Sequence, residues 1–149
     1  MREEISSKLE QLGKYIRILK TYQNRTLADL NEDFTLRGAV ERYLGLALQC
    51  SLDIGEMIIS MEKLRKPDTY RDVIEILGEN GILPRDFAKR FALAAGFRNI
   101  LIHMYADIDM EEVHQFLQEN LGDFDEFARS IAEHLVIKAE NPPVFKPGM

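Results

Sequence analysis

The fold is decided by residues 36–64, which read LRGAVERYLGLALQCSLDIGEMIISMEKL. Side chains recur on one side at helical spacing: Leu36, Val40, Tyr43, Leu44, Ala47, Ser51, Ile54, Met57, Ile58 and Met61. Four more, Leu46, Leu48, Cys50 and Leu52, widen the apolar surface beyond one stripe. A helix that is apolar over more than one face is buried on two sides. In a chain of 149 residues the second partner can be another subunit, so the segment predicts a homodimer.

A second long helix is predicted on the N-terminal side. From residue 2 to about residue 31, apolar side chains follow one helical face while charged side chains point mostly elsewhere. The polar residues 31–33 interrupt this pattern, and Thr35 is a plausible N-cap for the helix over residues 36–64. The two long helices are expected to pack antiparallel.

Three further helices are predicted after residue 64. Residues 65–69 form a loop in which Asp68 or Thr69 caps a short helix from Tyr70 to about Gly78. A stop follows at residues 78–81, and Pro84 suits the first turn of a fourth helix.

The last predicted helix begins with a capping box formed by Asp109 and Glu112 and runs to about residue 139, with a bend at Gly122. Residues 141–149 are rich in proline and predict a flexible tail. No convincing pair of strands is found. The sequence therefore predicts an all-α, up-and-down bundle of about five helices, in one domain over residues 1–140.

The overall composition restricts the function classes. A net charge of −6 argues against a protein coated in nucleic acid, although it is compatible with one local basic patch at Arg85, Lys89, Arg90 and Arg98. The single cysteine, Cys50, excludes an internal disulfide. The charged N-terminus is unlike a signal peptide, and no uninterrupted apolar run of membrane-spanning length is found. We expect a soluble, cytoplasmic protein without membrane contact.

Residues 97–105, FRNILIHMY, are the candidate functional stretch. Arg98, Asn99 and His103 interrupt an apolar run, where burial is costly unless each polar group has a partner. Arginine provides a planar fork for phosphate, and histidine titrates near neutral pH, so the two suit phosphodiester chemistry. The histidines show no metal-binding spacing, and we expect neither a metal nor a cofactor. A purely structural role for these residues also remains open.

Helical geometry places the candidate residues in two pairs on different sides of the helix. Asn99 and His103 are four residues apart and share a face, and Arg98 and Tyr105 are seven apart and lie close in angle. Arg98 and His103 diverge by about 140° in an ideal helix. We therefore expect them to converge only where the helix ends or bends between them, or where two subunits meet.

The pattern Arg-x4-His-x-Tyr at Arg98, His103 and Tyr105 resembles the signature of HEPN-domain toxins of the HepT type. Asn99 matches the polar residue that commonly follows the arginine in HEPN proteins, and residues 107–109, Asp-Ile-Asp, are also similar. The chain length and the predicted bundle extend the resemblance over nearly the whole chain.

The resemblance implies a metal-independent endoribonuclease that acts as a homodimer, with the two motifs facing each other across a cleft. Arg98 would bind the scissile phosphate, His103 would act as general acid or base during attack by the 2′-hydroxyl, and Asn99 would orient the site. Tyr105 would receive AMP from a partner antitoxin, an MNT-type nucleotidyltransferase. The alternative is a non-catalytic helical module that binds nucleotide and partners a minimal nucleotidyltransferase.

Overall fold

The computed structural model describes residues 1–103 and 108–140, with side chains described as far as residue 136. This part of the chain contains seven α-helices and no strand. The helices are α1 (Arg2–Lys20), α2 (Leu27–Glu32), α3 (Phe34–Met61), α4 (Tyr70–Glu79), α5 (Arg85–His103), α6 (Met110–Glu119) and α7 (Leu121–Glu140). The predicted all-α bundle is confirmed, but two of its five helices are each divided in two.

The first division falls between α1 and α2. The prediction of one helix from residue 2 to about residue 31 is wrong, because α1 ends at Lys20 and α2 begins after Thr26. The Thr26 hydroxyl accepts a hydrogen bond from the Asp29 backbone N–H, and the Asp29 carboxylate accepts one from the Thr26 N–H. This capping box starts a new helix. The apolar spacing continues across the break and conceals it.

The central helix α3 starts earlier than predicted. The Asp33 carboxylate caps it by accepting from the Leu36 backbone N–H at 3.0 Å, and Thr35 lies within the first turn. The prediction of Thr35 as the N-cap is therefore wrong. Aspartate is as good a capping residue as threonine, and it stands one residue before the helix begins.

The long helices α1 and α3 are antiparallel, as predicted. Lys8 pairs with Asp53, and seven residues further along α1 the ring of Tyr15 packs against that of Tyr43. On its other side α3 packs against α4 and α5, since a Cβ added at Gly55 would lie 2.7 Å from the Val73 side chain. Helices of the same chain thus account for the two-sided burial that suggested a homodimer, and the homodimer stays a prediction.

The pair α4 and α5 forms one side of the core. Thr69 caps α4 through the Asp72 backbone N–H, as predicted, and Gly81 ends the turn with a φ of +71°. Pro84 lies one residue before α5, where its carbonyl accepts from the Ala88 N–H. Phe91 of α5 stacks on Phe127 of α7, which joins this pair of helices to the rest of the bundle.

The second division separates α6 from α7. The predicted helix from Asp109 to about residue 139 is interrupted at Asn120, two residues before the predicted bend at Gly122. Asp109 is the N-cap, as predicted, but its carboxylate accepts from the Glu111 N–H and not from that of Glu112. The predicted flexible tail, residues 141–149, lies outside the described residues.

Helix α3 is also long and apolar enough to cross a membrane by length and composition, and 61% of its most apolar window is buried inside the protein. The core helix of a soluble protein meets the same criterion. The burial against α1, α4 and α5 indicates a core helix.

Candidate active site

The final turns of α5 carry the three described candidate residues. Leu101 is buried and Phe97 half-buried, so they fix this part of the helix against the core. Arg98 is half-buried, whereas Asn99 and His103 are exposed. The packing of α5 therefore presents one partly desolvated cation and two solvent-accessible polar side chains at the same end of the bundle.

Arg98 brings the three residues together. Its Nη1 atom donates to Asn99 Oδ1 at 2.8 Å and lies 3.3 Å from His103 Nε2. The expectation that Arg98 and His103 meet only at a bend, at a helix end between them or between two subunits is wrong, because α5 continues through His103. The Arg98 side chain is long enough to reach His103, although the two Cα atoms lie on different sides of the helix.

The contact between Arg98 and His103 is a hydrogen bond in one tautomer of His103. A guanidinium nitrogen has hydrogens but no lone pair to accept with, so it can only donate. A hydrogen bond to His103 Nε2 therefore requires the lone pair on Nε2 and, in the neutral ring, the proton on Nδ1. In this form Nε2 can accept a proton, which is what a general base requires.

Two residues on other helices hold the Arg98 guanidinium. Its Nε atom donates to Gln49 Oε1 of α3 at 2.5 Å, and its Cζ atom lies 4.7 Å from the centre of the Tyr70 ring of α4. Sequence reasoning missed both residues because their proximity to Arg98 arises only from packing. A weak signal for Gln49 was available, since it is an uncharged polar residue within the apolar segment of α3.

The contacts of Gln49 continue to α1. Gln49 Nε2 donates to Asp53 Oδ1 at 2.7 Å, and Lys8 Nζ donates to Asp53 Oδ2 at 3.1 Å. The hydrogen bond to Asp53 raises the pKa of Lys8 above its ordinary value. Asp53 thus has the polar partners that its place in an apolar helix requires.

A cavity of about 410 Å³ opens beside Asn99. It is lined by Glu56, Val73, Asn99 and the residues 67–70 that lead into α4. Burial raises the pKa of the Glu56 carboxyl, with a smaller contribution from the Asp53 charge. Two of its lining residues, Asn99 and Tyr70, contact Arg98, so the cavity adjoins the arginine, and its volume suits part of a nucleotide.

The basic residues of α5 other than Arg98 are divided between two surfaces. Arg85 and Lys89 line a cleft of about 480 Å³ between α4 and α5, together with Arg71. Arg90 instead forms ion pairs with Asp123 and Glu126 of α7.

The hydrogen-bond partners of the other two histidines lie outside this stretch of α5. His114 Nε2 lies 3.2 Å from the Arg25 carbonyl oxygen, and His134 pairs with Glu62. Within residues 1–103 and 108–136, no three His, Cys, Asp or Glu side chains are grouped as ligands for a metal ion. Tyr105 lies outside the described residues.

A helical bundle that presents an arginine, an amide and a histidine from one helix is consistent with a phosphate-handling protein, and comparison with known proteins identifies the family. Residues 12–131 match the family model described as Ribonuclease HepT-like. The chain belongs to this family. It is 33% identical over 136 residues to the tRNA nuclease HepT of Aphanizomenon flos-aquae, covering 91% of this chain and 92% of that protein. It is 28% identical over 141 residues to the mRNA nuclease HepT of Shewanella oneidensis, covering 94% and 100%.

Solved structures share the fold. The tri-AMPylated HEPN toxin of Shewanella oneidensis, in complex with an MNT antitoxin, matches with a TM-score of 0.80 and 24% identity, covering 89% of this chain and 99% of that one. The cytosolic protein YutE of Bacillus subtilis matches with a TM-score of 0.80 and 21% identity, covering 96% and 94%. The HEPN-like fold predicted from the sequence is therefore confirmed.

Proposed function

We propose that this protein is a metal-independent endoribonuclease toxin whose site is built from Arg98, Asn99 and His103. The observation that carries the proposal is the 3.3 Å approach of Arg98 Nη1 to His103 Nε2 in a chain of the HepT-like family. A fixed cation beside a proton-accepting imidazole is what cleavage of a phosphodiester by its own 2′-hydroxyl requires.

The reaction needs two proton transfers and no other reactant. The 2′-oxygen forms a bond to phosphorus while the bond from phosphorus to the 5′-oxygen breaks, which leaves a 2′,3′-cyclic phosphate and a 5′-hydroxyl. One proton leaves the 2′-hydroxyl, and one reaches the departing 5′-oxygen. His103 Nε2 can take the first proton, and in a homodimer the His103 of the second subunit is available to supply the other.

Arg98 stabilises the negative charge that develops on the phosphate oxygens. Among the described residues, no group accepts a hydrogen bond from its Nη2 atom, so Nη2 can donate to the substrate. Asn99 Oδ1 holds the Nη1 atom at 2.8 Å. When a phosphate oxygen replaces His103 as the partner of Nη1, the Nε2 lone pair becomes free to accept the proton.

We further propose that an MNT-type nucleotidyltransferase silences the toxin by transferring AMP to Tyr105, two residues after His103. The added group would bring negative charge and bulk next to the site and would repel RNA. The complex of an AMPylated relative with its MNT antitoxin supports this regulation. Similarity to a cytosolic protein supports action in the cytoplasm.

The test uses purified protein and an RNA substrate in buffer containing EDTA. Wild type is expected to cleave and to leave cyclic phosphate ends, whereas His103→Ala and Arg98→Ala are expected to be inactive while remaining folded and dimeric. His114→Ala is the matched control and should cleave like wild type, since the hydrogen-bond partner of His114 is the Arg25 carbonyl oxygen on the α1–α2 connection. Cleavage by His103→Ala at the wild-type rate would refute the assigned role.

The regulatory part has its own test. Incubation with the nucleotidyltransferase and labelled ATP should label wild type and not Tyr105→Phe, and Tyr105→Phe should arrest growth even when the antitoxin is present. Wild type that is harmless when expressed alone and inactive on RNA would instead favour the non-catalytic nucleotide-binding module.

A further inference from the structure

We propose that Gln49 is the positioning residue for the Arg98 guanidinium. Asp53 and Lys8 hold Gln49 in place, so a series of hydrogen bonds from α1 through α3 orients the site on α5. This inference rests on the proposed ribonuclease function and adds residues outside the stretch 97–105. It concerns the orientation of the guanidinium and not contact with RNA, because Gln49 contacts Asp53 and the Nε atom of Arg98, not the Nη1 and Nη2 atoms that would meet the phosphate.

The first step is the bond between Arg98 and Gln49. The Nε hydrogen points along one fixed direction of the planar guanidinium, so an acceptor on Nε determines where the Nη1 and Nη2 hydrogens point. Gln49 Oε1 is this acceptor, at 2.5 Å. The Tyr70 ring, 4.7 Å from Cζ, covers one face of the guanidinium and restricts its tilt.

The second step fixes the amide of Gln49. An amide can present either its oxygen or its NH2 group, and only the oxygen can accept from Arg98. Asp53 Oδ1 accepts from Gln49 Nε2 at 2.7 Å, which turns the oxygen toward Arg98. A carboxylate accepts and does not donate, so the Asp53 side chain excludes the flipped amide.

The third step anchors Asp53. Its second oxygen, Oδ2, accepts from Lys8 Nζ at 3.1 Å, and the two side chains are 31% and 32% exposed. Each of the three hydrogen bonds that link Lys8, Asp53, Gln49 and Arg98 joins a donor to an acceptor, with no mismatched pair. A satisfied polar network of this kind is rigid. The charges of Lys8 and Asp53 also compensate each other, so the orientation is obtained without placing an unpaired carboxylate against Arg98.

Placing a neutral amide next to Arg98 has a chemical consequence. A carboxylate in the place of Gln49 would bind the guanidinium more tightly and would neutralise the charge that the phosphate needs. The amide orients Arg98 and leaves its full charge for the substrate. We therefore expect Gln49→Glu to weaken RNA binding, whereas Gln49→Met should slow cleavage with little change in RNA binding.

The experiment measures two quantities for each variant of the full chain. Single-turnover cleavage gives the rate constant of the chemical step, and binding of an RNA with a 2′-deoxy substitution at the cleavage site gives Kd. Gln49→Met is expected to lower the rate constant roughly 10- to 100-fold, the scale of a misplaced catalytic group, and to change Kd less than about threefold. Asp53→Ala should act in the same direction with a smaller effect, because Arg98 itself keeps its acceptor.

A spectroscopic measurement reports the bond itself. The 1H–15N signal of the Arg98 Nε–H group should shift in Gln49→Met and, to a smaller extent, in Asp53→Ala. The matched control is Gln23→Met, which removes a side-chain hydrogen bond to the Leu117 carbonyl oxygen of α6 and no contact of Arg98 or Gln49. It should reduce stability and leave both the rate constant and the Arg98 signal unchanged.

The outcomes separate the two proposals. If Arg98→Ala is inactive but Gln49→Met and Asp53→Ala cleave at the wild-type rate, the positioning role is overturned and the ribonuclease proposal stands. If Arg98→Ala cleaves like wild type, the ribonuclease site itself is wrong. If Gln49→Met fails to fold, the rate constant of Asp53→Ala tests the positioning role. Asp53→Ala is expected to fold, because the Asp53 side chain is only half-buried and its loss leaves Lys8 near solvent.

Discussion

The substitution Gly78→Ala tests the packing that sets the distance between α4 and α5. A Cβ added at Gly78 would lie 2.6 Å from Ala88 Cβ, whereas ordinary contacts of this kind begin near 3.4 Å. Both atoms are attached directly to helical backbone, so no side-chain rotation can relieve the overlap. The helices must separate locally by roughly 0.8 Å.

The expected free-energy change has two opposing parts. Forcing an extra methyl group into a well-packed contact typically costs about 1–3 kcal/mol. Replacing glycine by alanine inside a helix returns up to about 1 kcal/mol through backbone entropy. We expect the overpacking to prevail and Gly78→Ala to lower the free energy of unfolding by about 1–2 kcal/mol, which lowers Tm by about 2–8 °C in a chain of this size.

The assay is urea and thermal unfolding of wild type, Gly78→Ala, Ala88→Gly and the double variant at one protein concentration, so that the concentration-dependent contribution of subunit association is held constant. Ala88→Gly alone should cost about 1 kcal/mol because it places glycine inside α5. The double variant exchanges the positions of the two methyl groups, so it should be at least about 1 kcal/mol more stable than the sum of the single changes predicts. Gly78→Ala as stable as wild type, or strictly additive changes, would refute the reasoning.

Two further predictions concern individual ionisable groups. Burial raises the pKa of the Cys50 thiol to about 11, so alkylation of native protein at pH 8 should be far slower than that of urea-unfolded protein, as measured by mass spectrometry. Hydrogen bonds from Arg65 lower the pKa values of Asp72 and Glu79 below their ordinary values. These carboxylates therefore contribute stability above about pH 4 that is lost as the pH falls through their folded pKa values. Arg65→Met should lower Tm slightly at pH 7, and its difference from wild type should shrink below pH 4.

The helix starts that were predicted correctly are those that carry a local signal. Thr69 and Asp109 cap α4 and α6 as expected, because a capping residue acts on backbone N–H groups within a few positions. The two missed breaks, at Thr26 and Asn120, occur where apolar spacing continues across the interruption. The periodicity of apolar residues indicates which residues face the core. It does not indicate whether the helix between them is continuous.

The candidate active site also contains residues that a local sequence signal revealed and residues that it did not. Arg98, Asn99 and His103 were found because three polar residues in one apolar run are visible in the sequence. Their mutual contact was not predicted, because helical angles locate Cα positions and not the end of a long guanidinium side chain. Gln49 and Tyr70 were missed for a different reason: each reaches Arg98 from another helix, 49 and 28 positions away in sequence.

The distribution of hydrogen bonds around Arg98 bears on how the site would change when RNA binds. Nε is occupied by Gln49, and Nη1 is shared between Asn99 and His103, while Nη2 has no acceptor within the described part of the chain. Under the proposed function, a phosphate would engage Nη2 without displacing a contact made by the described residues, and it would displace His103 from Nη1. The Gln49 bond is made by Nε and would stay in place during this exchange. Substrate binding and release of the His103 lone pair would then be one event, which prepares the base only when a phosphate is present.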